Sequence, residues 1–245
     1  MNQPYESIPI ITDFNNIDNA DYVTDPIQEL SMSKNILVKK LDKIFCDRTN
    51  RYLVFSPSSN GQMKLLFKCE EIKDMCACCH SNSNEVYIAI RHISSPKNTN
   101  DNDTPPFVEV KQPYIFNCCK MPEIFVSFTS NNQLIGKIIL DSKCCDRRFS
   151  IIDDTQNKKY TIKRLSHECK CKCKCGKESI FNIYKTENLD FPIGSISYNT
   201  KALGKNENYQ ITFPDDASPN DKINLISFSL LIYYLYFEGD NQSGT

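Results

Sequence analysis

The chain has 245 residues, 40 % hydrophobic and 24 % charged, enough to bury one large core, and all-β domains of this size are routinely single. Its formal net charge of −1 gives no global basic footprint for nucleic acid. Seven Gly, no Trp and no GxGxxG or GxxxxGK[ST] motif remove Rossmann and P-loop chemistry.

Residues 1–26 read as a mobile acidic leader with room for a short helix. Met1 to Ser33 holds Glu6, Asp13, Asp18, Asp21, Asp25 and Glu29 without Lys or Arg, the reverse of a signal peptide, so a cytosolic location is expected. Thirteen Cys in such a chain point to reduced thiols, metal or lipidation in place of disulfides. From Asn35 the texture changes. Ile36-Leu37-Val38, Arg51 to Phe55, Met63 to Lys68 and Val86 to Ile90 are short β-branched or aromatic runs separated by turn signals, which predicts an antiparallel meander. Ser94 to Pro106 is a low-complexity insertion, expected to be a disordered loop between strands.

The second half nearly repeats itself. Glu123 to Phe128 followed by Ile135-Gly136-Lys137-Ile138 is echoed by Ser179 to Tyr184 followed by Ile193-Gly194-Ser195-Ile196, with offsets of 56 residues at Phe125 and Phe181 and 58 at Gly136 and Gly194. Similar hairpin units suit a closed barrel. Ser218-Pro219-Asn220-Asp221 then supplies a Ser N-cap, a Pro at the first helical position and a first-turn acid, which predicts a helix from Pro219 to Glu238. Within it, the fifteen residues Ile223 to Phe237 carry no formal charge. At about 22 Å that stretch falls short of a ~30 Å hydrocarbon core. Its apolar side chains occupy every face, so it is expected to be a plug inside a β shell, with a short membrane anchor as the alternative.

The paired Cys clusters, the two Ile-Gly-x-Ile hairpins, Asn208 to Pro214 and the apolar helix ending Tyr236-Phe237-Glu238 resemble, in order and spacing, the phospholipid scramblase family. The resemblance runs from about Pro26 to Glu238. It implies a tubby-like fold, a closed antiparallel barrel of about twelve strands around a buried C-terminal helix, for a domain spanning residues 27–238 with a tail at 239–245. It also implies a membrane-associated protein on the cytosolic face of the plasma membrane. The expected activity is calcium-stimulated, bidirectional movement of phospholipid between leaflets. The alternative is a non-transporting lipid-binding or structural subunit that uses the barrel inside a larger protein assembly.

The family's calcium loop has acids where this chain has Lys205, Glu207, Asp216 and Ser218, and a Gly where it has Gln210. The calcium candidates that remain are Glu207, Asn208, Asp215, Asp216 and Asp221, a set expected to bind in the ~10⁻⁴ to 10⁻³ M range at best. The competing reading is that Asp215 and Asp216 solvate the loop while Asp221 serves the helix N-terminus. Lipidation, carried over from the family's acylated run, falls on Cys118 and Cys119; one acyl chain holds only reversibly, so two are the minimum for a stable anchor.

Cys169, Cys171, Cys173 and Cys175 alternate with Lys170, Lys172 and Lys174. That run has three readings: lipidation with the lysines contacting anionic headgroups, a zinc or other soft-metal site, or a plain surface loop. Its one-residue steps fit zinc poorly, since structural sites space Cys by two to four residues. His80, His92 and His167 belong to no recognisable catalytic constellation, so enzymatic chemistry is not expected.

Overall fold

The computed structural model describes residues 21–41, 49–58, 61–72, 86–92, 105–113, 123–143, 146–165, 178–200 and 207–232. A two-residue strand β1 (Asp21–Tyr22) and helix α1 (Pro26–Met32) lead into the wall of the molecule. The wall comprises β2 (Asn35–Lys40), β3 (Arg51–Pro57), β4 (Met63–Glu71), β5 (Val86–Arg91), β6 (Val108–Gln112) and β7 (Glu123–Phe128). It continues through β8 (Leu134–Lys143), β9 (Asp146–Asp153), β10 (Lys158–Arg164), β11 (Glu178–Lys185), β12 (Gly194–Thr200) and β13 (Glu207–Thr212). Helix α2 (Pro219–Ile232) follows.

Every strand from β2 to β13 pairs antiparallel with its neighbours in sequence, and β13 pairs with β2, so the wall is a closed up-and-down barrel of twelve strands. β1 stays outside and pairs parallel with β4 through Asp21 and Tyr22. Closure leaves no open edge in the ring. The expected barrel is therefore observed.

α2 fills it. All residues from Asp221 to Ile232 are buried, which requires cover on every side of the helix. The cover comes from around the ring: Ile223 and Ile226 line one narrow gap with Phe67 of β4, Ile90 of β5, Phe107 just before β6 and Val108 of β6. Asn224 reaches the Ile135 carbonyl of β8 at 3.4 Å. The Phe228 ring lies 4.8 Å from Phe149 of β9 and 6.3 Å from Phe181 of β11. The gap left between helix and wall beside Ile223 and Ile226 is too small for a water molecule. Approach to β8 is so close that a Cβ on Gly136 would stand 2.5 Å from the Asn224 amide nitrogen. The buried hydroxyls of Ser227 and Ser229 donate to the helix's own carbonyls of Ile223 and Ile226, so they carry no unmet bond into the core.

Ser218 caps the helix as its sequence suggests. Its Oγ accepts from the Asp221 N–H at 3.3 Å, and the Asp221 carboxylate accepts the Ser218 N–H at 2.8 Å in return, a reciprocal capping box. The expected helix is described as far as Ile232; residues 233–238 lie outside the described residues, as do 1–20 of the leader and 94–104 of the low-complexity insertion.

The two hairpins of the sequence echo, β7–β8 and β11–β12, both exist, but their Phe residues face opposite ways. Phe125 lies on the outer face with the Lys137 ammonium 5.2 Å from its ring, whereas Phe181 is buried against α2. The registers differ: Phe125 pairs with Lys137, one residue past Gly136, whereas Phe181 pairs with Ile196, two past Gly194, so the inward and outward positions are offset by one residue between the hairpins.

An unpaired charge inside such a packed core costs several kcal/mol. Leu231→Arg is expected to lose about 3–5 kcal/mol and abolish the cooperative unfolding transition, measured by urea denaturation followed by circular dichroism. A cooperatively folded variant would show that α2 is not the core.

Candidate functional site

Because every connection in the wall is a hairpin, alternate connections lie at opposite rims. β3–β4, β7–β8, β9–β10 and β11–β12 turn at one rim, where β13 also passes into α2. The helix then runs back through the barrel towards the other rim. At that second rim β2, β4, β6, β8, β10 and β12 end and their successors begin. The segments joining them carry every cysteine of the chain except Cys69.

The lipidation candidates Cys118 and Cys119, the alternating Cys169, Cys171, Cys173 and Cys175, and Lys170, Lys172 and Lys174 all lie outside the described residues. Their flanking strand ends are described, and all belong to this rim. Cys69 sits within β4 in the core, where burial pushes its thiol up and keeps it protonated and unreactive.

The first rim holds the acidic loop. The five calcium candidates divide between the rims: Glu207 and Asn208 start β13 at the second rim, while Asp215, Asp216 and Asp221 follow its end. Four steps of extended strand from Asn208 to Thr212 put about 13 Å between the two groups. Asp215 is exposed and takes the Lys34 ammonium at 3.2 Å. Asp216 takes Lys185, the last residue of β11, at 2.5 Å. Asp221 is buried; its Oδ2 takes Lys159 of β10 at 2.5 Å, the Ser218 N–H at 2.8 Å and the Ser218 hydroxyl at 2.7 Å. Among the described residues, no three His, Cys, Asp or Glu side chains form a group that could hold a metal ion.

Lys222, one residue further, marks in the sequence the start of the uncharged stretch. In the structure it is buried, with its ammonium donating to the carbonyls of Leu30 at 3.0 Å, Ser31 at 2.9 Å and Ser33 at 2.8 Å. These carbonyls close the C-terminal turn of α1, where a helix leaves acceptors unpaired and a cation is favoured. The Phe213 ring lies 5.3 Å away. Burial lowers the Lys222 pKa from its ordinary value. α1 is fixed at its other end by Asp25, whose carboxylate accepts the Ile27 and Gln28 N–H groups, and on its flank by Glu29, bonded to Lys64 of β4 at 2.9 Å. The N-terminal helix, the wall and the plug thus meet at one rim.

No helix among the described residues is long and apolar enough to cross a membrane, which says nothing of spanning by strands. The family model described as Scramblase matches residues 45–239. No curated protein matches the chain.

Lys222→Met keeps the aliphatic stem but removes the ammonium from the Leu30, Ser31 and Ser33 carbonyls, and is expected to cost about 2–4 kcal/mol in urea unfolding. The Lys185 hydrogen bond holds the Asp216 carboxyl below its ordinary value, against the opposing effect of partial burial. A carboxyl depressed on folding stabilises the fold above its unfolded pKa of about 3.9 and loses that contribution as pH falls through the folded value. NMR titration should find the Asp216 midpoint below those of ordinary Asp residues, and Lys185→Gln should raise it.

Proposed function

Because the chain belongs to the scramblase family, we propose that it works as a membrane-tethered barrel acting on phospholipid distribution, with its cysteine-bearing rim turned to the bilayer. The observation that supports this reading is the meander topology, in which the strands flanking the Cys118-Cys119 and Cys169 to Cys175 segments, β6, β7, β10 and β11, have the ends from which those segments leave at one rim. Acyl chains on that rim would point one way, and two of them suffice for a stable anchor. Lys170, Lys172 and Lys174 alternate in sequence with Cys169 to Cys175 and suit anionic headgroups. The membrane in question is read as the plasma membrane, from its cytosolic side, on the family resemblance.

The filled interior limits how the activity could work. A headgroup crossing the hydrocarbon needs a polar path, and α2 with its surrounding side chains occupies the space a pore would need. Bidirectional phospholipid movement by this chain would therefore run over the outside of the barrel or between copies of it. The same observation favours a second reading: a barrel that binds the membrane, or serves as an interaction subunit of a larger assembly, without conducting lipid.

A fluorescent-lipid scrambling assay in liposomes, paired with flotation, separates the two. Movement of labelled lipid supports the first, and flotation without movement the second. Replacing both Cys118 and Cys119 with Ala is expected to leave the cell-expressed protein folded while shifting it from the membrane to the aqueous fraction. Unchanged partitioning of that variant would remove the pair as the anchor.

A further inference from the structure

Three carboxylates surround the point where the chain turns from β13 into α2, and each is engaged by a lysine from a different part of the wall. Lys34 precedes β2, Lys159 belongs to β10 and Lys185 ends β11; they reach Asp215, Asp221 and Asp216 respectively. Their charges offset one another in pairs. Asp221 is the deepest of the three, and its Oδ2 already accepts three hydrogen bonds. Glu207 and Asn208 stand at the far end of β13 and belong to the opposite rim. A calcium ion requires about six to eight oxygens converging at about 2.3–2.6 Å, with affinity set by net ligand charge and rigidity. The first rim offers carboxylates aimed at three separate ammonium groups.

We propose that lysine stands in for a divalent cation at this loop, so that α2 is seated by intramolecular ion pairs and its docking does not respond to calcium. Lys159 and Asp221 join β10 to the first turn of α2, Lys185 and Asp216 join β11 to the loop, and Lys34 and Asp215 join the loop to β2. The Lys159–Asp221 pair, whose carboxylate is buried, carries most of the restraint, since exposed pairs contribute little individually. The three together hold the loop to strands on both sides of the helix entrance. This inference rests on the family reading for the choice of ion, and its test is made without lipid so that the two can fail separately.

The purified full chain is melted in EGTA and in ~10 mM calcium; a site with a dissociation constant of ~10⁻⁴ M would raise the melting temperature by roughly 5–10 °C. The expected shift is below about 1 °C, within the scatter of such a measurement. Terbium luminescence, sensitised by the protein's tyrosines and competed with calcium, is read in parallel and is expected to show no saturable binding. The double variant Lys34→Gln and Lys185→Gln, altered only at exposed ammonium groups, frees Asp215 and Asp216 and is expected to show saturable terbium binding where the parent shows none, because affinity follows ligand charge. Saturable calcium binding by the parent with a matching thermal shift overturns the proposal. A double variant that responds no more than the parent also overturns it, because the lysines would then not be what excludes the ion. Flotation of the same protein with liposomes reports the membrane reading independently of either result.

Discussion

Enclosure of α2 is the constraint on which the rest of the molecule depends. A helix apolar on all sides has no face to turn to water, and a flat sheet covers only one of its faces. Twelve strands closed into a ring cover all of them. The aromatic residues that meet the plug, Phe149, Phe181 and Phe67, come from strands well apart around the circumference. Closure in turn depends on one junction, β13 against β2, where Tyr209 pairs with Val38 and Ile211 with Ile36. Those four side chains all point into the core.

The polar features of the first rim follow from the same constraint. A helix that starts at a barrel mouth brings its unpaired N–H groups with it, and the Ser218–Asp221 capping box answers them. The Asp221 charge so introduced is buried, and Lys159 neutralises it. The Lys222 ammonium is buried as well and is met by the carbonyl end of α1. α1 is therefore part of the barrel's closure, even though it precedes the first strand of the wall.

Much of this architecture was legible in local sequence. The start of α2 is written in Ser218, Pro219 and Asp221, and its burial in the absence of any polar stripe after Lys222. The β-branched and aromatic runs of β2 to β5, β7, β11 and β12 stand out for the same reason. β9 and β10 do not, because Arg147, Arg148, Lys158, Lys159 and Lys163 give their segments a basic look that hides the alternating Phe149, Ile151, Tyr160 and Ile162. Other features were illegible in principle. Lys34 and Asp215 are 181 residues apart, Lys159 and Asp221 62, and Lys222 reaches a carbonyl 192 residues away. No local pattern encodes which lysine meets which acid once the ring has closed. The same distance effect separates Glu207 and Asn208 from Asp215 and Asp216: neighbours in sequence, they are held at opposite ends of an extended strand.

The order of elements along the chain also bears on how the protein is made. The strand that closes the ring and the helix that fills it follow the rest of the wall in the chain, so during synthesis the first eleven strands of the wall leave the ribosome with neither closure nor core. Hairpins form locally and early, but the apolar lining they assemble faces an empty interior until α2 emerges. The nascent barrel thus passes through a long stage with two open edges and an unsheltered inner surface, the condition in which chaperones bind and aggregation competes. Productive folding of the barrel is concentrated in the moments after α2 is released.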